Sequence, residues 1–303
     1  MNLKINNLIC LVLLSFLSFT VNYYYGSIGV LPIDTFAFFD TGYRLNNGDL
    51  PFKDYWTISG PFIDILQSFF FYLFGYSWKS YILNGSIINL ILTVTSYYFF
   101  KNNGLDYKYS FFYASCLAFL GNPSMGTPFP DHYSSFFSLL ALISFISAIK
   151  TKKNVYWFLI PILLFIAFFC KQTPAGYVII LFLFNFAYYA LIEKKLKFLK
   201  PIIYGVLVSF LLLMIFILKN EIDIKSIITQ YFLYPQTIGT NRINELGFSF
   251  NKYISNFKLI YVVLIPLIGI SLLSLFSKDK SIKTEDLFIN FNIIFFSFIL
   301  LIH

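Results

Sequence analysis

The sequence predicts an all-α, polytopic integral membrane protein of about nine transmembrane helices, with juxtamembrane helices in its first outer loop. Two composition figures and one pattern point there. The 303 residues are 58% hydrophobic and 22% aromatic but only 12% charged, and the mean hydropathy is +0.73. Soluble domains are roughly 45–50% apolar and about 25% charged. Charge-free runs recur along the whole chain, most of them near the roughly 17–25 residues that a helix needs to cross the hydrocarbon core. These figures exclude a soluble globular enzyme and a disordered or fibrous chain. The net charge of +8 comes from basic residues scattered between apolar runs. They form no stripe, so nucleic acid is not a predicted partner. Cys10, Cys116 and Cys170 lie singly inside apolar runs, which indicates neither a disulfide framework nor a zinc site.

Runs free of Asp, Glu, Lys and Arg cover 5–33, 65–78, 80–100, 109–130, 132–149, 154–170, 172–192, 201–218, 259–277 and 287–303. The 65–78 run has only 14 residues, and the charges around it decide its place. If it crossed, the later Lys-rich loops would alternate onto the outer side. If it lies at the interface, Lys4 and the loops at 101–108, 150–153, 193–200 and 278–283 all fall inside, as the cytoplasmic bias of Lys and Arg requires. That arrangement puts 13 of the 22 basic residues inside and 9 of the 14 acidic residues outside. The reading is therefore nine spans with a cytoplasmic N-terminus, and an interfacial helix over 62–76. The first run is an uncleaved span, because Asn22-Tyr23-Tyr24-Tyr25 stands where a small-residue cleavage site would be. Pro174 suits the tight outer turn at 171–174, since proline can open the next helix. The run 287–303 is either a ninth span at the chain's end or the front part of a longer protein. Residues 1–303 read as one transmembrane domain, with large outer loops at 26–79 and 219–257.

Polar chemistry is sought in the outer loops, because polar groups next to hydrocarbon are costly and tend to be functional. Asp34 and Thr35 stand where a helix would begin, with the carboxylate at the positive end of its dipole. Phe36, Phe39 and Tyr43 follow at helical spacing with Asp40 beside them, and Gly48 stops the helix. Pro51, Gly60 and Pro61 shape the rest as a fixed turn. Asp34 reads equally as a plain N-cap, and Lys53–Asp54 as a solvated pair. Asp131 precedes a span and has the same two readings. His132 beside it is a polar interface residue, since one His and one Asp make no metal site alone. A divalent cation would need Asp34, Asp40 or other oxygens to converge there. No cofactor is called for, and the cation is left open. Lys171 and Arg242 either snorkel to headgroups or face a phosphate, for which Arg is the better bidentate partner. No GxGxxG or GxxxxGK[ST] pattern is present, so a soluble nucleotide-sugar or ATP site is not indicated.

The string Asp34-x₅-Asp40-x-Gly42-x₅-Gly48-x₂-Pro51-Phe52-Lys53-Asp54-Tyr55-Trp56-x₃-Gly60-Pro61, after one N-terminal span, resembles the first outer loop of GT-C superfamily glycosyltransferases. The branch it is most similar to holds the protein O-mannosyltransferases and the aminoarabinose transferase acting on lipid A. Members show an Asp, a Gly some 14 positions later, then Pro-Tyr-x-Asp-Phe and Gly-Pro or Pro-Pro; Asp34 to Gly48 is 14 positions here. The resemblance covers about residues 1–200. The chain departs from the family in having Thr57-Ile58-Ser59 before Gly60, Asp34-Thr35 in place of Asp-Glu, and a shorter length. The resemblance implies transfer of a sugar from a polyprenyl-phosphate donor to a glycan, lipid or protein acceptor. Transfer would occur with inversion, at the outer face of the plasma (inner) membrane. It implies Asp34 as general base, with Asp131 and Asp40 as further catalytic candidates. Lys53, Asp54, Tyr55, Trp56, His132, Lys171 and Arg242 become substrate-binding candidates. The cations would face the leaving phosphate, and Tyr43, Tyr55 and Trp56 would stack on sugar. A surface-polysaccharide polymerase or ligase, and a transporter or flippase of lipid-linked substrates, are the alternatives.

Overall fold

The computed structural model describes residues 2–29, 33–122, 125–193, 196–245 and 250–276, together with Asn290 and Asn292. Its regular elements are all helices, in the order α1 (Asn2–Ile28), α2 (Ile33–Asn46), α3 (Phe62–Phe74), α4 (Trp78–Asn102), α5 (Tyr107–Leu120), α6 (Pro130–Thr151), α7 (Asn154–Cys170), α8 (Gln172–Glu193), α9 (Leu199–Lys219), α10 (Ile224–Ile227), a π-helical turn (Ile228–Leu233), α11 (Tyr234–Glu245) and α12 (Phe250–Phe276). Among the described residues no strand is present, and Pro51 and Tyr55 form an isolated bridge.

Among the described residues, five helices are long and apolar enough to cross a membrane: Ile5–Ile28, Trp78–Asn102, Pro130–Thr151, Gln172–Leu191 and Leu199–Lys219. They coincide with five of the nine spans the sequence predicts. Of the other four, three fall on shorter apolar helices or parts of helices and one lies outside the described residues. The predicted span over 109–130 is a helix of only 14 residues, Tyr107–Leu120. At 1.5 Å per residue it reaches about 21 Å, short of a hydrocarbon core of roughly 30 Å. The charge-free run overstates it because Gly121 ends the helix, and Asn122 is buried in the turn that follows. The span over 154–170 is the 17-residue α7, at the lower edge of what can cross. The stretch 259–277 belongs to the longer α12, whose described apolar part is Leu264–Leu273. The run 287–303 lies outside the described residues apart from Asn290 and Asn292. α3 fills the predicted interfacial segment with 13 residues. The 219–257 region is helical over most of its length.

Local chemistry explains the ends. Ser77 caps α4 by accepting from the Ser80 N–H, and Pro130 opens α6 at its first turn. Two packed groups organise the chain. In the first, α6, α7, α8 and the start of α9 close on Phe145, Trp157, Phe182, Tyr189 and Phe198. In the second, α1, α4 and α5 meet along a polar stripe. Asn89 donates at 3.0 Å to both Ser18 O and Ala118 O, and Asn22 donates at 3.0 Å to Ser86 Oγ. In apolar surroundings such amide bonds replace the missing hydrophobic drive between helices. The outer face of α9 exposes Val206, Leu207, Phe210, Leu211 and Ile215.

Candidate functional site

The loop between α2 and α3, which the sequence reading places on the outer side, is folded by its own side chains. Arg44, near the end of α2, donates from Nε to Asp49 Oδ2 at 2.9 Å and from Nη2 to the Asp54 carbonyl at 3.0 Å. Its guanidinium stands 4.9 Å over the Tyr55 ring. Asp54 closes the turn by accepting from the Leu50 N–H at 2.8 Å. Tyr55 in turn donates through its hydroxyl to Asp64 Oδ2 at 3.0 Å, and Thr41 Oγ1 donates to Asp64 Oδ1 at 2.6 Å. Asp64 is 2% exposed on α3. Burial pushes its carboxyl up to about 7, against the pull of the two hydroxyl donors. Burial and the neighbouring Asp64 likewise raise the Tyr55 hydroxyl.

The far side of the loop seats on residues more than a hundred positions away. The Thr57 N–H donates to Gln230 Oε1 at 2.9 Å, and Gln230 Nε2 donates back to the Phe52 carbonyl at 3.2 Å. Gln172 Nε2 bridges the Ile58 and Tyr231 carbonyls at 2.7 and 2.8 Å. Lys53 Nζ reaches the Asn220 carbonyl at 3.0 Å, and Trp56 meets Tyr234 edge-on at 5.5 Å. The π-helical turn carries both Gln230 and Tyr231, and such turns are frequent at functional sites. Tyr231 stacks on Phe169 at 5.5 Å, and its hydroxyl donates to the Phe168 carbonyl. Gly60 lies so close to the same corner that an added Cβ would stand 2.4 Å from the Phe169 carbonyl oxygen.

Beside this seat lies an ion pair. Lys171, between α7 and α8, donates from Nζ to Asp131 Oδ2 at 2.7 Å. Ser134 Oγ holds the Lys171 carbonyl at 3.1 Å, fixing the backbone from which the cation projects. The two side chains are 33% and 41% exposed, so the pair is reachable from solvent. His132 sits between Phe129 and Phe136, and its buried Nδ1 has no hydrogen-bond partner.

The fold thus unites Asp131 with Lys171, whose chain neighbours Gln172 and Phe169 meet Ile58 and Gly60 of the first loop. Lys53, Asp54 and Trp56 belong to the same loop but already hold protein partners. Tyr55 is buried at 7% exposure, with Arg44 over its ring. It supports the loop from within, and its ring is closed to a sugar in this conformation. Asp40 is exposed on α2. Tyr43 stacks edge-on with Tyr76 at 4.8 Å. Asp34 is the second residue of α2 and Arg242 lies in α11, but both side chains lie outside the described residues. Among the described residues no three His, Cys, Asp or Glu side chains converge as a metal site would need. Sequence reasoning passes over Asp64, Gln172 and Gln230. For Asp64 a signal exists: it and Gln67 are three residues apart in an otherwise apolar helix, hence on one face. The two glutamines carry none, because their partners are remote in sequence. Compared with family models, with curated proteins and with solved structures, the chain matches none.

Proposed function

We propose that the chain is a membrane glycosyltransferase that moves a sugar from a polyprenyl-phosphate donor to a hydroxyl of a glycan, lipid or protein acceptor. The reaction site is at the outer face of the plasma (inner) membrane. The observation that carries this reading is the half-exposed Lys171–Asp131 pair at the ends of two apolar helices, adjoining a first outer loop that is docked rather than loose. A lipid phosphate leaves with negative charge, and a fixed cation stabilises that charge as it forms. Lys171 takes this role, with Arg242 as a second cation. Asp131 aims the ammonium. The acceptor oxygen attacks the anomeric carbon from the face opposite the phosphate. The C–O bond to phosphate breaks as the new one forms, and the configuration inverts. Asp34 takes the acceptor proton. Trp56, 53% exposed, offers the open aromatic surface for a sugar ring.

Membranes holding the full-length protein and a radiolabelled polyprenyl-phosphate sugar test this. Label is expected to pass to an acceptor with the wild type. It should fall by at least about a hundredfold in Asp34→Asn, the range for losing a general base. Full activity in Asp34→Asn would remove Asp34 as the base. No transfer by folded protein across a panel of donors would turn the reading to a polysaccharide polymerase or ligase, or to a transporter. The orientation has its own check. A cysteine placed at Asn103 or Thr151 should resist an impermeant thiol reagent in intact cells, and labelling there would invert the topology.

A further inference from the structure

Asp64 has no part in the chemistry just proposed, yet three segments meet on it. Thr41 from α2 and Tyr55 from the loop each donate a hydroxyl to one of its two carboxyl oxygens, at 2.6 and 3.0 Å, and the carboxyl itself belongs to α3. The group is 2% exposed, and no Lys, Arg or His pairs with it among the described residues. Arg44 stands over the Tyr55 ring but is committed to Asp49, while Asp40 on the same helix is exposed. From α4 the facing titratable group is Tyr81, whose hydroxyl donates to the Pro128 carbonyl. On its own helix Gln67 accepts from Asn84 Nδ2 at 2.9 Å.

This geometry makes one carboxyl the common anchor of α2 and of the turn at 51–55. It also leaves that carboxyl without a counter-charge. A buried carboxylate with hydroxyl donors but no cation is costly, whereas the neutral acid is not. The neutral acid keeps one oxygen to accept from Thr41 and turns its own proton toward the Tyr55 oxygen, so both links survive protonation.

We propose that Asp64 is a proton-dependent fastener of the first outer loop: neutral, it keeps the 51–61 turn seated on α3 and on the Gln172 and Gln230 clamp, and ionised, it loosens that seat. The direction follows from the shift. The carboxyl is raised from 3.8 to about 7 by burial, so seating the loop takes up a proton. The stabilisation is therefore complete below about pH 4 and is lost as pH rises through about 7, the seated-to-open ratio falling about tenfold per pH unit within that window. The inference concerns how the loop is held and stands whether or not the chain transfers sugars.

Amide hydrogen exchange on the full-length protein in lipid nanodiscs tests it, with rates corrected for the intrinsic pH dependence. In the wild type, corrected opening of peptides spanning 47–61 should grow between about pH 4 and about pH 7 and then level off. Peptides of α7 should stay unchanged. Asp64→Asn, a neutral isostere that still meets both hydroxyls, should keep the loop protected and abolish the pH dependence. The wild type should also show a carboxylic-acid infrared band at low pH that bleaches as pH passes about 7, where the exchange rise levels off, and that is missing in Asp64→Asn. Flat wild-type exchange, or the same rise in Asp64→Asn, overturns the proposal. Should Asp64→Asn fail to fold, Tyr55→Phe serves instead. It removes a donor that favours the carboxylate, so the pH at which the rise levels off should move upward, and an unmoved levelling-off overturns the proposal.

Discussion

Under the proposed sugar transfer, replacing Lys171 with methionine is expected to lower the rate by about two to three orders of magnitude, the loss typical when one fixed group facing a developing anion is removed. The protein itself is expected to stay folded. The Lys171–Asp131 pair is a third to two-fifths exposed, and ion pairs of that kind contribute only about 0–1 kcal/mol to stability. Methionine also keeps the length and apolar stem of lysine. Asp131→Asn should be milder, about tenfold, because it frees the ammonium without removing it. The double variant should be no worse than Lys171→Met alone, since Asp131 acts through Lys171. Steady-state transfer measured on all three variants, with thermal unfolding measured in parallel, decides the matter. A double variant whose losses simply multiply would show that Asp131 acts on the substrate independently. Loss of folding in Lys171→Met would make the pair structural.

Gly60→Ala is the second large effect. It should unseat the first outer loop at a cost of about 3 kcal/mol, from two sources. Gly60 has φ +105°, a conformation costing non-glycine residues about 1–3 kcal/mol. The new Cβ would also lie 2.4 Å from the Phe169 carbonyl oxygen, and backbone on backbone cannot relax as a flexible side chain does. Overpacking of that kind adds about 1–3 kcal/mol. Gly48→Ala is the matching control. Gly48 has φ +102° but open space around its missing Cβ, so it should incur the conformational cost alone. Hydrogen exchange over 47–61 separates the two: strong deprotection is expected in Gly60→Ala and a small change in Gly48→Ala. Equal effects would mean that the close approach to α7 contributes nothing.

Much of this architecture is legible in the chain itself. The five long apolar helices, α2 with its stop at Gly48, and the short apolar α3 all follow from composition, spacing and turn residues. These are local properties: a run of apolar residues is helical in lipid because its backbone groups must be satisfied within the segment. Charge-free length is a weaker guide to spanning, as the 14-residue α5 illustrates, because the uncharged Gly121 ends the helix and the fold gives the Asn122 amide a buried partner in the turn that follows.

Tertiary structure alone decided the site. Asp131 and Lys171 lie 40 positions apart, and Thr57 and Gln230 lie 173 apart. No local pattern encodes these meetings, since they depend on how α6 packs on α7 and on where the π-helical turn is carried by α9. The same packing turned Tyr55 inward, from a surface on which a sugar could stack to a buried donor. It also took Asp64, an unremarked acidic residue in an apolar helix, out of water. Sequence by itself determined which segments are apolar and where the charges lie along the chain. Packing determined which charges gained partners and which lost their solvent, because burial and pairing depend on neighbours that are remote in sequence.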